Sequence, residues 1–239
     1  MDETDFERLI FWEARQMTCS RRKFVLGMGS VMFFSAPLFS VFGATDKNKP
    51  VRYAMIHDEI RCNGCNICTV ACHKVNKVPV GAARMSIAHI AMTPPEEGNT
   101  YHFFRHSCQQ CEDAPCIDVC PTGSSYRDDN NGIVRVDKAK CIGCSYCISA
   151  CPYQVRYLNP TTRVADKCDF CLESRLQKDF PPICVSACPQ DALIFGPEES
   201  EPVQTWLKTH EYYQYQLPDV GKPRIYRRPG PHDIEKVTI

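Results

Sequence analysis

Four cysteines, Cys141, Cys144, Cys147 and Cys151, are separated by two, two and three residues, and Pro152 follows the last. Each interval has a physical use. Three thiols spaced two residues apart let one tight loop turn three sulfurs toward a single body. The fourth, three residues on, starts a short helix and faces away from that body. This spacing suits ligation of a cubane [4Fe-4S] cluster. Gly143, Ser145 and Ala150 are small enough for a backbone that wraps closely around inorganic sulfur. Pro152 has no N–H to give and ends the local pattern.

The same chemistry recurs three times. Cys62, Cys65, Cys68 and Cys72 repeat the spacing, with His73 where the proline stood. Cys108, Cys111, Cys116 and Cys120 carry a longer middle interval, Glu112-Asp113-Ala114-Pro115, and are followed by Pro121. Cys168, Cys171, Cys184 and Cys188 have twelve residues in the middle interval and Pro189 after the last. Of 17 cysteines in 239 residues only Cys19 falls outside these groups, and it is read as incidental. One ligand module used four times is the internal repeat of the chain. Such close neighbours rarely reach disulfide geometry, which argues against a disulfide framework. Zinc held by the pairs Cys168–Cys171 and Cys184–Cys188 is the alternative, but zinc sites mostly use separated pairs rather than compact runs of four. His73 reads as a surface histidine beside Lys74; modulation of a cluster's potential is the other reading.

The elements that hold these groups are expected to be short. Alternating apolar and polar residues predict a strand over 51–57. Residues 84–93 and 101–106 predict two strands joined by the turn-rich Pro94-Pro95-Glu96-Glu97-Gly98-Asn99. They lie in an insertion, 76–104, that covers a cluster or presents a docking surface. A hairpin is expected from 122–127 and 132–137, with turn chemistry in Asp128-Asp129-Asn130-Asn131-Gly132. Strands are also expected over 153–158 and 192–195, and a short helix around Trp206 over 201–210. Beyond Gly196 there are no cysteines; Tyr212, Tyr213 and Tyr215 precede Arg224, Arg227 and Arg228. That aromatic and basic tail, 197–239, suits either docking to a partner or packing on its own domain.

Residues 1–44 read as a targeting segment. Ser20-Arg21-Arg22-Lys23-Phe24 matches the twin-arginine export pattern and precedes an uncharged stretch to Thr45. Cleavage is expected near Gly43 and Ala44; a retained membrane anchor is the alternative, since the length is marginally sufficient. Met17 as the true start would leave a conventional short head before the arginine pair. Twin-arginine substrates cross the membrane folded, which suits clusters inserted in the cytoplasm, so a periplasmic location is expected. With 28 basic and 28 acidic side chains, no basic excess points to nucleic acid.

The four groups, all sixteen cysteines in place and three followed by proline, resemble the four-cluster, ferredoxin-type electron-transfer subunits of bacterial respiratory oxidoreductases. These include iron–sulfur subunits of the molybdopterin enzymes and of formate-dependent nitrite reductase. The resemblance covers 51–196. A narrower likeness is to exported ferredoxin-like proteins encoded in enterobacteria beside an enzyme similar to aldehyde ferredoxin oxidoreductase. The resemblance implies an α+β fold of two side-by-side ferredoxin-like units within 45–196, built around four [4Fe-4S] clusters. It also implies a nested ligand exchange. One cluster takes Cys62, Cys65, Cys68 and Cys188, and a second takes Cys168, Cys171, Cys184 and Cys72. A third takes Cys108, Cys111, Cys116 and Cys151, and the last takes Cys141, Cys144, Cys147 and Cys120. Partners implied are a catalytic molybdenum or tungsten oxidoreductase subunit and a membrane quinol-oxidising subunit or cytochrome.

The residues offer no rival chemistry. There is no Gly-rich phosphate loop and no catalytic serine motif. His102 and His106 have a zinc-protease spacing, but Phe103 stands where a glutamate would be needed and the segment reads as a strand. The expected function is therefore electron transfer with no bond chemistry and no small-molecule substrate of its own. The alternatives are a freestanding periplasmic polyferredoxin and a zinc-stabilised interaction module.

Overall fold

In a computed structural model of the chain, residues 51–96, 99–217 and 221–230 are described, all within one compact unit, Asp46–Ile239. The twin-arginine segment, 1–44, and Cys19 lie outside the described residues. Among the described residues no helix is long and apolar enough to cross a membrane.

The organising strand is β1, Tyr53–Asp58, buried from Ala54 onward. Side chains alternate across a strand, and both faces of β1 are used. Met55 joins the main core with the cysteines, while Ala54 and Ile56 join a smaller cluster with Val203, Trp206 and Tyr226. Further elements follow in order: α1 (Ile67–Asn76), β2 (Met85–Glu96), β3 (Asn99–Ser107), α2 (Pro115–Asp118), β4 (Ser125–Arg127) and β5 (Val134–Val136). Then come α3 (Tyr146–Ser149), β6 (Tyr157–Leu158), β7 (Ala165–Asp166), α4 (Ile183–Ser186), β8 (Leu193–Pro197), α5 (Glu201–Thr209) and β9 (Ile225–Arg228). The expectation of an α+β fold of short strands and short helices holds.

Three elements differ from the sequence reading in ways that matter. Helix α1 runs ten residues, whereas α2, α3 and α4 have four each. Proline after Cys120, Cys151 and Cys188 removes a donor there; His73 does not, and the helix continues past Cys72 to Asn76. Strands β2 and β3 pair from Met85↔Ser107 to Ala91↔Tyr101 and again at Glu96↔Asn99, so pairing persists past Pro94 and Pro95 after an irregularity. Finally, the C-terminal stretch contributes β9, which pairs parallel to β1 opposite antiparallel β8, giving the sheet order β8-β1-β9. The expected hairpin forms as β4–β5, and the 153–158 strand shrinks to β6, paired with β7. Helix α5 covers the outer face of the sheet through Val203 and Trp206.

Helix α1 packs against α4, and α2 packs against α3. The helix that carries the third cysteine of the first group thus meets that of the fourth, and that of the second meets that of the third.

Candidate cluster-binding sites

Each group begins with a loop of the same local shape. The residue just before the second cysteine has a left-handed backbone in all four: Gly64 (φ 70°), Gln110 (52°), Gly143 (70°) and Phe170 (56°). In the two compact runs the residue just after that cysteine repeats it, Asn66 at 61° and Ser145 at 67°. Left-handed residues of this kind turn successive N–H groups toward one concavity that favours negative charge. Glycine is required at 143 for a second reason: a Cβ there would sit 2.5 Å from the Arg163 carbonyl oxygen. Gln110 and Phe170 adopt a conformation that side chains resist, and hold it inside a packed core.

The loops bring each triplet to a thiol from a distant group. Cys62, Cys65 and Cys68 line one hollow together with Cys188. Cys108, Cys111 and Cys116 line another with Cys151, and Cys141, Cys144 and Cys147 line a third with Cys120. The three hollows are alike in size. The other four thiols also gather. Burial pushes the Cys72 thiol up, and Cys168, Cys171 and Cys184 beside it push further. Asn76 Nδ2 donates to the sulfurs of Cys72 and Cys171 at 3.5 and 3.4 Å.

All sixteen cysteines of the groups are free thiols. Among the described residues, no group of three or more His, Cys, Asp or Glu side chains converges closely enough to hold a single metal ion. A tetrahedral zinc would need sulfurs about 2.3 Å from one point. Here the sulfurs instead surround a volume, which fits a bulky cluster with a thiol at each corner.

Electrostatics point the same way. Burial pushes Cys62 up to about 11 and Cys111 and Cys184 up to about 12, with neighbouring thiols adding to the shift. Thiolates crowded and buried like this need a bound cation, and iron supplies one. Backbone donors reach the sulfurs too: Ser125 N–H to Cys120 at 3.3 Å, Ala192 N–H to Cys188 at 3.4 Å, and Ala165 N–H to Cys141 at 3.5 Å. At Cys120 burial raises the thiol, but the Ser125 N–H and the Thr122 hydroxyl more than offset it and the thiol falls below its ordinary range. Donors to sulfur of this type set cluster potentials.

Side chains brace the loops. Arg127 donates to the carbonyls of Cys111, Glu112 and Gly132, fixing the interval that loops out in the second group. Arg84 ties the start of β2 to the fourth group through Asp166 at 2.9 Å and Asp169 at 3.0 Å. His102 and His106 do not converge: His102 pairs with Glu59 at 3.2 Å, and His106 meets the Tyr153 carbonyl at 2.8 Å. His73 is half-buried beside exposed Lys74, in the last turn of α1. Sequence reasoning missed Asn76, Arg105, Arg156 and Lys167, which all lie near thiols. Only Lys167, one residue before Cys168, offered a signal, and adjacency alone does not show burial.

Residues 99–198 match the model of the 4Fe-4S dicluster domain family. The chain is 66% identical to the ferredoxin-like protein YdhX of Escherichia coli K12, over 93% of this chain and 100% of that one. It is 46% identical to protein NrfC of the same organism, over 89% of this chain and 96% of NrfC. It is 50% identical to the thiosulfate reductase electron transfer subunit PhsB of Salmonella typhi, over 77% of this chain and 96% of PhsB.

Proposed function

The chain belongs to the ferredoxin-like family built on the 4Fe-4S dicluster domain, and from that premise we propose that it is an electron-transfer subunit carrying four [4Fe-4S] clusters. It catalyses no bond chemistry itself. Cys62, Cys65, Cys68 and Cys188 would hold the first cluster, and Cys168, Cys171, Cys184 and Cys72 the second. Cys108, Cys111, Cys116 and Cys151 would hold the third, and Cys141, Cys144, Cys147 and Cys120 the fourth. The observation that carries this reading is the gathering of three cysteine triplets, each with one thiol from a distant group, around a hollow, with Cys168, Cys171 and Cys184 gathered beside Cys72. Bound clusters supply one-electron oxidation and reduction; the chain's own residues orient them, exclude water and donate hydrogen bonds to sulfur.

The order of the sites follows from shared elements. The first and second would share the packed pair α1 and α4 as one ferredoxin-like unit, and the third and fourth the packed pair α2 and α3 as the other. Gln110, in the third site's loop, donates to the Cys168 carbonyl at 2.9 Å and links the second site to the third. Exposure supports ends and a middle. Cys65 and Cys144, at the first and fourth sites, are exposed, whereas all four thiols of the second site are buried. Electrons would enter and leave at the two exposed ends. Ile142 and Tyr146, flanking Cys144, are 69% and 61% exposed and offer an apolar contact for a redox partner.

The partners we propose are a catalytic molybdenum or tungsten oxidoreductase subunit at one end and a membrane quinol-oxidising subunit or cytochrome at the other. The names of the relatives support a subunit rather than a freestanding ferredoxin: PhsB is the electron transfer subunit of a thiosulfate reductase. The arginine pair Arg21-Arg22 supports twin-arginine export to the periplasm. The test is iron, zinc and acid-labile sulfide per chain in protein purified without oxygen. About sixteen each of iron and sulfide with little zinc is expected; zinc near four without sulfide would mean a structural module and end the electron-transfer reading.

A further inference from the structure

Three buried cations stand between these sites, and among the described residues none has a carboxylate to balance it. Arg105, on β3, is fully buried. Its Nη1 donates to the Ser107 hydroxyl, Nε and Nη2 have no oxygen partner, and the Cys184 sulfur is the acceptor the guanidinium faces. Its charge acts on Cys184 and Cys168 of the second site and on Cys68 of the first. Arg156 is 5% exposed and lines the hollow of Cys108, Cys111, Cys116 and Cys151. Its Nη2 donates to Ser125 Oγ at 2.9 Å, and Nε and Nη1 have no partner. It acts on Cys116 and Cys151 of the third site and on Cys147 of the fourth. Lys167 is 2% exposed; its Nζ donates to the carbonyls of Val134 and of Cys168, the latter at 2.9 Å. It therefore lies against the second site, and it acts on Cys116 of the third.

Buried charges are ordinarily paired, because an unpaired one loses its hydration with nothing in return. Two other buried arginines keep that rule: Arg84 has Asp166 and Asp169, and Arg227 has Glu59. Among the described residues no carboxylate pairs with Arg105, Lys167 or Arg156. What stands beside all three is thiol. Four thiolates leave a cubane cluster with net negative charge, and reduction adds one more. A cation in a low-dielectric interior favours the more negative, reduced form of whatever lies next to it.

We propose that Arg105, Lys167 and Arg156 set the potentials of the row, one cation in each interval, each raising the reduction potential of the cluster on either side. Arg105 serves the first and second sites, Lys167 the second and third, and Arg156 the third and fourth. Each cation is shared, so the two potentials it adjoins rise together. This rests on the four-cluster reading above.

The test is a redox titration, followed by electron paramagnetic resonance, of full-length protein with its clusters in place. The unaltered protein shows first whether four clusters are present; fewer would sink the four-cluster reading itself, separately from the role of the cations. Arg156→Gln is expected to lower two of the four potentials and leave two unmoved. The expected size is about tenfold in the reduced-to-oxidised ratio at fixed potential, or about 59 mV for one electron. Arg105→Gln should lower the other two. Lys167→Met should lower one from each pair. Arg156→Lys and Arg105→Lys should keep the original values. Fully loaded neutral variants with unmoved potentials would overturn the proposal, as would a uniform shift of all four or lysine variants that behave like glutamine. Neutral variants that lose iron while their lysine counterparts keep it support charge compensation; loss in both overturns it.

Discussion

At the scale of single residues, the left-handed position before each second cysteine ties sequence to chemistry. Gly64 and Gly143 fill it without strain; Gln110 and Phe170 fill it only because the surrounding core holds them there. The last cysteine of each group makes the more specific prediction. Cys151 follows the third triplet in sequence but lines the hollow of Cys108, Cys111 and Cys116. Cys151→Ala should therefore remove the same paramagnetic signal as Cys116→Ala and spare the one removed by Cys147→Ala. If it instead removes the signal lost in Cys147→Ala, each group keeps its own cluster and the ligand exchange is wrong. The triplets were legible from spacing alone. Which distant thiol completes each was legible only through resemblance, because nothing local to Cys151 says where its side chain ends.

At the scale of elements, β9 shows how a stretch with no motif can hold the fold. It lies beside β1, with Ile225 and Tyr226 buried. Arg227 donates to Glu59 Oε1 at 3.3 Å and to the Arg105 carbonyl at 2.6 Å, and stacks 3.7 Å over the Phe104 ring. Tyr213 donates to the same Glu59 oxygen at 2.8 Å, and both side chains of the Glu59–Arg227 pair are fully buried. Removing one member of such a pair leaves a buried charge and costs about 3 kcal/mol or more. Arg227→Met should lower the Tm accordingly, and adding Glu59→Gln should recover much of the loss. A double variant whose losses simply add would show that the two residues are not coupled. From sequence the arginines of the tail suited a partner or the chain's own core equally; in the structure Arg227 is buried and β9 pairs with β1. The β2–β3 hairpin was legible as two strands, but not the reason for it: β3 carries Arg105 to the interval between two cysteine sites.

At the scale of the whole molecule, the core is an unusual one. Of the 24 buried residues in the main cluster, nine are cysteines from the four groups. The regular elements around them are short, so little else would pack if the thiols had nothing to bind. Much of the folding free energy is then binding free energy. Chelated, cluster-free protein should lose most of its far-ultraviolet circular dichroism, and a native-like spectrum after chelation would refute this. The smaller cluster of Ala54, Ile56, Val203, Trp206 and Tyr226 is the part best able to stay together, but it is too small to hold the sheet alone.

The sequence by itself determined the ligand type, the fourfold repeat, the tight loops and the short elements, because each follows from local spacing and from glycine, proline and cysteine chemistry. Tertiary structure alone decided what stands beside the thiols. Asn76 against Cys171, Arg156 between Cys116 and Cys147, and β9 against β1 join residues far apart in the chain. Burial turns an ordinary arginine into an unbalanced charge, and burial belongs to the fold rather than to any segment of the sequence.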